Sequence, residues 1–81
     1  PPPVYPAAAR RLGEQGRVIL RVLFGASGIA ERVEVRAGSG SARLDQAAID
    51  AVLRWRFVPA QQGTETVAAW VAVPIVFKLE E

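Results

Sequence analysis

The side chains able to do chemistry in this chain are serines, carboxylates, arginines and a few aromatics, because the sequence has neither histidine nor cysteine. Ser27, Ser39 and Ser41 therefore have no imidazole base beside them, and a Ser-His-Asp nucleophile is excluded. Disulfides, thiol chemistry and the usual zinc, copper or haem ligand sets are excluded by the same absences, so no metal or cofactor is expected. The carboxylates Glu14, Glu31, Glu34, Asp45, Asp50, Glu65, Glu80 and Glu81 fall in turns, on exposed strand positions or at helix starts. No two of them converge as an acid–base pair, and they read as a solvated surface. The chain is not expected to be an enzyme.

Phosphate and nucleic-acid chemistry fare no better. Gly13, Gly16, Gly25, Gly28, Gly38 and Gly40 sit in turns, without the Gly-Lys-Ser/Thr ending of a phosphate loop. Arg17, Arg21, Arg32 and Arg36 would make a basic sheet face, but Glu31 and Glu34 are interleaved with them and the net charge is only +2. A sheet that stacks bases needs several exposed aromatics, and only Trp70 is expected outside. Nucleic acid is not an expected partner.

What remains is the chemistry of the backbone itself. The last apolar run, Val67 to Leu79, reads as one long strand with Pro74 inside it. Proline lacks the N–H that a central strand must donate, so the run belongs at a sheet edge. An edge strand carries a row of unpaired N–H and C=O groups that proteins normally blunt. A long apolar edge left open points to pairing with another chain, and so to a peptide-binding module.

The rest of the chain must hold that edge in place. At 81 residues with 51% hydrophobic and 22% charged content, it is one small domain with enough apolar residues for a core. No apolar run reaches the roughly 18–20 residues that span a bilayer, and the start lacks the pattern of a signal peptide. Pro1-Pro2-Pro3-Val4-Tyr5-Pro6 is polyproline-like and reads, over residues 1–5, as the end of an extended spacer. From Pro6 onward the folded domain is expected to occupy residues 6–81.

Pro6 suits a first helical turn, and Ala7 to Leu12 form a short helix that Gly13 stops. Arg17 to Phe24 then alternates, with Val18, Leu20, Val22 and Phe24 on one face. After Gly25-Ala26-Ser27-Gly28, the segment Ile29 to Ala37 alternates again, with Val33 and Val35 inward, which makes an antiparallel hairpin. Asp45 is expected to cap a second helix, with Ala48, Ile49, Val52 and Leu53 at helical spacing, that ends near Trp55 or Arg56. Trp55 and Phe57 pack its end onto the sheet. Gln61-Gln62-Gly63 is a polar connection to a last strand from about Thr66 to Leu79.

The order helix, strand, strand, helix, strand predicts an α+β fold. Its three-stranded antiparallel sheet has the order second, first, third, with both helices on one face. The period of two then puts Val71, Val73, Ile75 and Phe77 under the helices, and Trp70 and Val76 on the open face. The backbone of Ala72, Pro74, Val76 and Lys78 is expected to point away from the sheet.

These residues also line up with a known family: Tyr5-Pro6, Gly16 with Val18, Gly28, Leu44-Asp45-Gln46-Ala47-Ala48, Trp55-Arg56-Phe57-Val58-Pro59-Ala60 and Val73-Pro74-Ile75-Val76-Phe77. In nearly its whole length the chain resembles the C-terminal domain of TonB proteins. The resemblance implies the periplasmic domain of an energy transducer. An N-terminal helix outside this sequence would anchor that transducer in the inner membrane and engage the ExbB–ExbD proton-driven motor.

It implies as partner the Ton box, a short extended segment of outer-membrane transporters for siderophores, haem or cobalamin. The Ton box would add a strand along Val71, Ala72, Val73, Pro74, Ile75, Val76 and Phe77, and Pro3, Val4, Tyr5 and Pro6 would also touch the transporter. Two other readings stay open: a TonB-like module fused to a regulator or another envelope protein, and a homodimer in which the free edge pairs with its own copy.

Overall fold

The computed structural model describes residues 3–80; Pro1 and Pro2, the first residues of the expected spacer, and Glu81 lie outside the described residues. The chain forms α1 (Ala7–Arg11), β1 (Gly16–Phe24), β2 (Ala30–Ala37), α2 (Ala42–Leu53), β3 (Ala60–Gln62), β4 (Glu65–Val67) and β5 (Ala69–Phe77). β2, β1 and β5 make an antiparallel sheet in that order, so the last strand lies beside the first, as the sequence predicts. The architecture is α+β, with α1 and α2 on one face.

Alternation along β1 sets the core. Val18, Leu20 and Val22 are fully buried and Phe24 nearly so. Opposite them, Ala9 of α1 and Leu44, Ala48 and Val52 of α2 close the other layer, and Val73, Ile75 and Phe77 of β5 complete it. Burying side chains of this kind contributes about 1.5–3 kcal/mol each, which is how a two-layer domain of this size stays folded. Among the described residues no helix is long and apolar enough to cross a membrane.

Several local expectations are corrected. The cap of α2 is Ser41, whose hydroxyl accepts from the Leu44 N–H at 3.3 Å. Asp45 instead reaches backward, and its carboxylate accepts from the Ser39 N–H at 2.9 Å and the Ser39 hydroxyl at 2.7 Å. Ser41 wins the cap because its backbone is extended (φ −120°, ψ 119°) and its oxygen lies one turn before the first free amides. α2 stops at Leu53, two or three residues early, with Arg54 as its C-cap. Pro6 stands just before α1 as its N-cap, with extended backbone.

The stretch from Gln61 is a hairpin and not a plain connection. Gln62 pairs with Glu65 and Ala60 with Val67, so the loop is Gly63-Thr64. Gly63 has φ +65°, the glycine position that a tight two-residue hairpin turn requires. The long last strand of the sequence reading is thus divided, and only Ala69–Phe77 joins the main sheet. Val35, on the edge strand β2, faces the helix side opposite Leu20 yet remains 44% exposed.

Candidate functional site

β1 pairs with β5 without a break from Gly16 opposite Phe77 to Phe24 opposite Ala69. Each β5 residue therefore has a fixed face. Ile19 lies across from Pro74 and Leu20 across from Val73, so odd β5 positions share the core face with Leu20 and even positions share the open face with Ile19. Among the described residues no strand lies on the other side of β5. Proline is tolerated at position 74 because an edge strand has neighbours on one side only.

Of the residues expected to bind a partner strand, Val73, Ile75 and Phe77 are at most 6% exposed. Their side chains belong to the core, so they anchor the edge strand from within. Ala72, Pro74 and Val76 are exposed on the open face, where Trp70 is also exposed. There the Arg21 guanidinium lies 3.9 Å over the Trp70 ring while its Nη1 donates to Glu34 at 3.2 Å. Val71 departs from expectation: its face is the helix side, but it is 41% exposed and borders a hollow beside Phe57 and Val58.

The N-terminal residues expected to touch the same partner divide between two neighbours. The Tyr5 ring stands edge-on to Phe77 at 5.4 Å, and its hydroxyl donates to the Glu14 carbonyl. Arg10 lies 4.7 Å over the other part of that ring. Val4 and Pro6 face α2 instead and line, with Ala47, Asp50, Ala51 and Arg54, an open cavity of about 270 Å³. Pro3 is half-buried and Val4 is 67% exposed. So Tyr5 ties the extended N-terminal segment to the end of β5.

A second feature escaped the sequence reading. Phe57 stacks edge-on against Phe24 at 4.4 Å, as expected for a helix-end packing residue, yet is 41% exposed, and Val58 is 93% exposed. These residues border an apolar hollow beside Val71. The sequence signal was the apolar run Phe57-Val58-Pro59, which periodicity alone does not distinguish from ordinary core.

The chain matches the family described as Gram-negative bacterial TonB protein C-terminal over residues 1–79. It is 52% identical over 79 residues to Protein tonB2 of Pseudomonas aeruginosa, covering 98% of this chain and 29% of that protein. It is 42% identical over 78 residues to Protein TonB of Xanthomonas campestris, covering 96% of this chain and 35% of that protein. The chain thus spans about a third of the length of these relatives. The fold matches a solution NMR structure of the Pseudomonas aeruginosa TonB C-terminal domain with a TM-score of 0.86 at 31% identity, covering 100% of this chain and 82% of that one. The chain belongs to the TonB C-terminal domain family of Gram-negative bacteria.

Proposed function

We propose that this domain receives the Ton box of an outer-membrane transporter as an added strand on the open edge of β5, and that the whole protein is a TonB-type energy transducer. The observation that carries this reading is a nine-residue strand, Ala69–Phe77, paired on one side only and interrupted by a proline that suits that position. Strand addition takes its affinity from backbone hydrogen bonds, so it accepts many peptide sequences. At a net ~0.5–1.5 kcal/mol per bond, less the cost of ordering the peptide, such a contact is modest in strength and able to let go.

In this reading the domain acts in the periplasm, and residues 1–5 end a proline-rich spacer. A preceding helix holds the protein in the inner membrane beside ExbB and ExbD, and proton motive force drives uptake of siderophores, haem or cobalamin. Force applied along β5 loads its hydrogen bonds to the Ton box together in shear, which suits transmission of a pull. The burial of Val73, Ile75 and Phe77 supports this role, because it ties the pulled strand into the core. The test is an NMR titration of the labelled domain with a Ton-box peptide. Shifts at the Val71 to Phe77 amides are expected; no shifts at millimolar peptide would exclude the reading.

A further inference from the structure

The end of β5 nearest Ala69 carries a hollow of about 140 Å³ lined by Phe24, Phe57, Val58, Pro59 and, from β5 itself, Ala69 and Val71. Every named wall residue is apolar. An apolar cavity of about 150 Å³ takes a benzene-sized group, so this one has room for a single leucine, isoleucine or phenylalanine side chain. Two observations set it apart from an incidental dent.

Its walls are fixed before any ligand arrives. The Phe57 N–H donates to the Gly28 carbonyl at 3.0 Å, tying the segment after α2 to the β1–β2 turn. Gly28 has φ +83°, and a Cβ there would run into the Phe57 carbonyl, so the turn can approach only as glycine. Phe57 is held further by Phe24 at 4.4 Å and Trp55 at 5.6 Å.

The hollow also lies at the open edge and not elsewhere on the surface. Ala69 and Val71 have odd positions, so they stand on the helix face of β5, where Ala69 is half-buried and Val71 exposed. A strand added beside β5 alternates its own side chains between the same two faces, with directly opposed residues about 4.5–5.5 Å apart at Cβ. Its side chain opposite or diagonal to Val71 therefore arrives at the hollow, while the rest of that face runs past Val73 and Ile75. The hollow is absent from the open-face side, which carries Trp70 and Arg21.

We propose that this hollow is a specificity pocket for one bulky apolar side chain of the added strand, and that it fixes the peptide's register on β5. The proposal rests on the strand-addition reading above. Backbone bonds alone allow a peptide to slip by two residues at little cost; an anchor at one end of the edge removes that freedom. The partner it selects is an extended segment with a large aliphatic or aromatic residue at one defined position, and smaller or polar residues are tolerated at the others.

The test is an NMR titration with a synthetic Ton-box peptide from a transporter of the same bacterium, and with versions in which each apolar residue in turn is alanine. One alanine version is expected to bind about tenfold or more weakly, the cost of losing a buried side chain of that size, and only its side chain shifts the Phe57 ring. Two variants close the pocket without touching the core: Ala69→Leu fills it and Val58→Asp makes its rim polar. In both, the parent and that alanine peptide bind alike. If the β5 amides shift equally for every peptide and neither variant alters the ranking, the pocket is overturned while strand addition stands. If no peptide shifts the β5 amides, both are overturned.

Discussion

The Tyr5 ring meets Phe77 edge-on, with centroids 5.4 Å apart and planes at 85°. This contact joins the two ends of the domain: the extended segment before α1 and the last residue of the edge strand. Phe77 is 3% exposed, so the tyrosine fastens the entering chain to a residue that is itself part of the core. Any tension carried by the residues before Tyr5 enters the domain beside β5.

Truncating Tyr5 should loosen that junction. Tyr5→Phe keeps the ring contact and loses only the bond to the Glu14 carbonyl, at about 1 kcal/mol. Tyr5→Ala also removes a half-buried ring and an aromatic pair, at about 2–3 kcal/mol. Urea unfolding of the two variants gives both values, and equal losses would show that the ring contact contributes nothing.

Gly28 and Gly13 make a paired comparison of backbone against space. Both have positive φ, +83° and +69°, but a Cβ at Gly13 meets nothing while one at Gly28 strikes the Phe57 carbonyl. Gly13→Ala should cost about 1 kcal/mol from the backbone alone. Gly28→Ala should cost at least about 2 kcal/mol and displace Phe57 from Phe24, visible in the ring resonances of both. Equal unfolding midpoints for the two variants would count against the clamp.

Ser41→Ala removes the cap of α2 and also the 2.8 Å hydrogen bond from its hydroxyl to Glu14. A loss of about 1–2 kcal/mol is expected in urea unfolding. Asp45→Ala leaves the cap in place and undoes the two bonds to Ser39, so amide exchange should quicken at Ser39 while the first turn of α2 stays protected. Fraying of α2 in the Asp45 variant and not in the Ser41 variant would reverse the assignment.

The direction of the β5 backbone can be read by deuterium exchange. In the free domain the amides of Val73 and Ile75 should be slow and those of Ala72 and Val76 fast, since only the former face β1 in the strand-addition reading. A bound Ton-box peptide should slow Ala72 or Val76. Slow exchange at Ala72 and Val76 in the free protein would mean that the edge is already covered, for instance by a second copy.

Arg21→Ala removes a stack on Trp70 and an ion pair with Glu34 whose partners are 41% and 54% exposed. Together they should contribute no more than about 1 kcal/mol. Salt screens the ion pair more than the close stack, so most of the change in Trp70 fluorescence should survive high ionic strength.

Local chemistry made much of this fold legible in the sequence alone. The period of two in Val18, Leu20, Val22 and Phe24 fixes a strand and its buried face, because side chains on a strand alternate whatever surrounds it. Pro74 marks the sheet edge because a missing N–H is a property of the residue itself. The family, too, follows from motifs such as Trp55-Arg56-Phe57-Val58-Pro59 and Val73-Pro74-Ile75-Val76-Phe77.

Tertiary structure decided what depends on who is near whom. Ser41 and Asp45 both have capping side chains, and only the path of the loop after β2 determines which oxygen meets the free amides of α2. Val71 has the parity of a core residue, but its exposure depends on what other segments pack over it, which no pattern within β5 can specify. The hollow between Phe57, Val58 and Val71 likewise arises from segments far apart in the chain, brought together by a glycine turn whose partner is remote. Periodicity carries the direction of a side chain; its surroundings come from contacts across the fold.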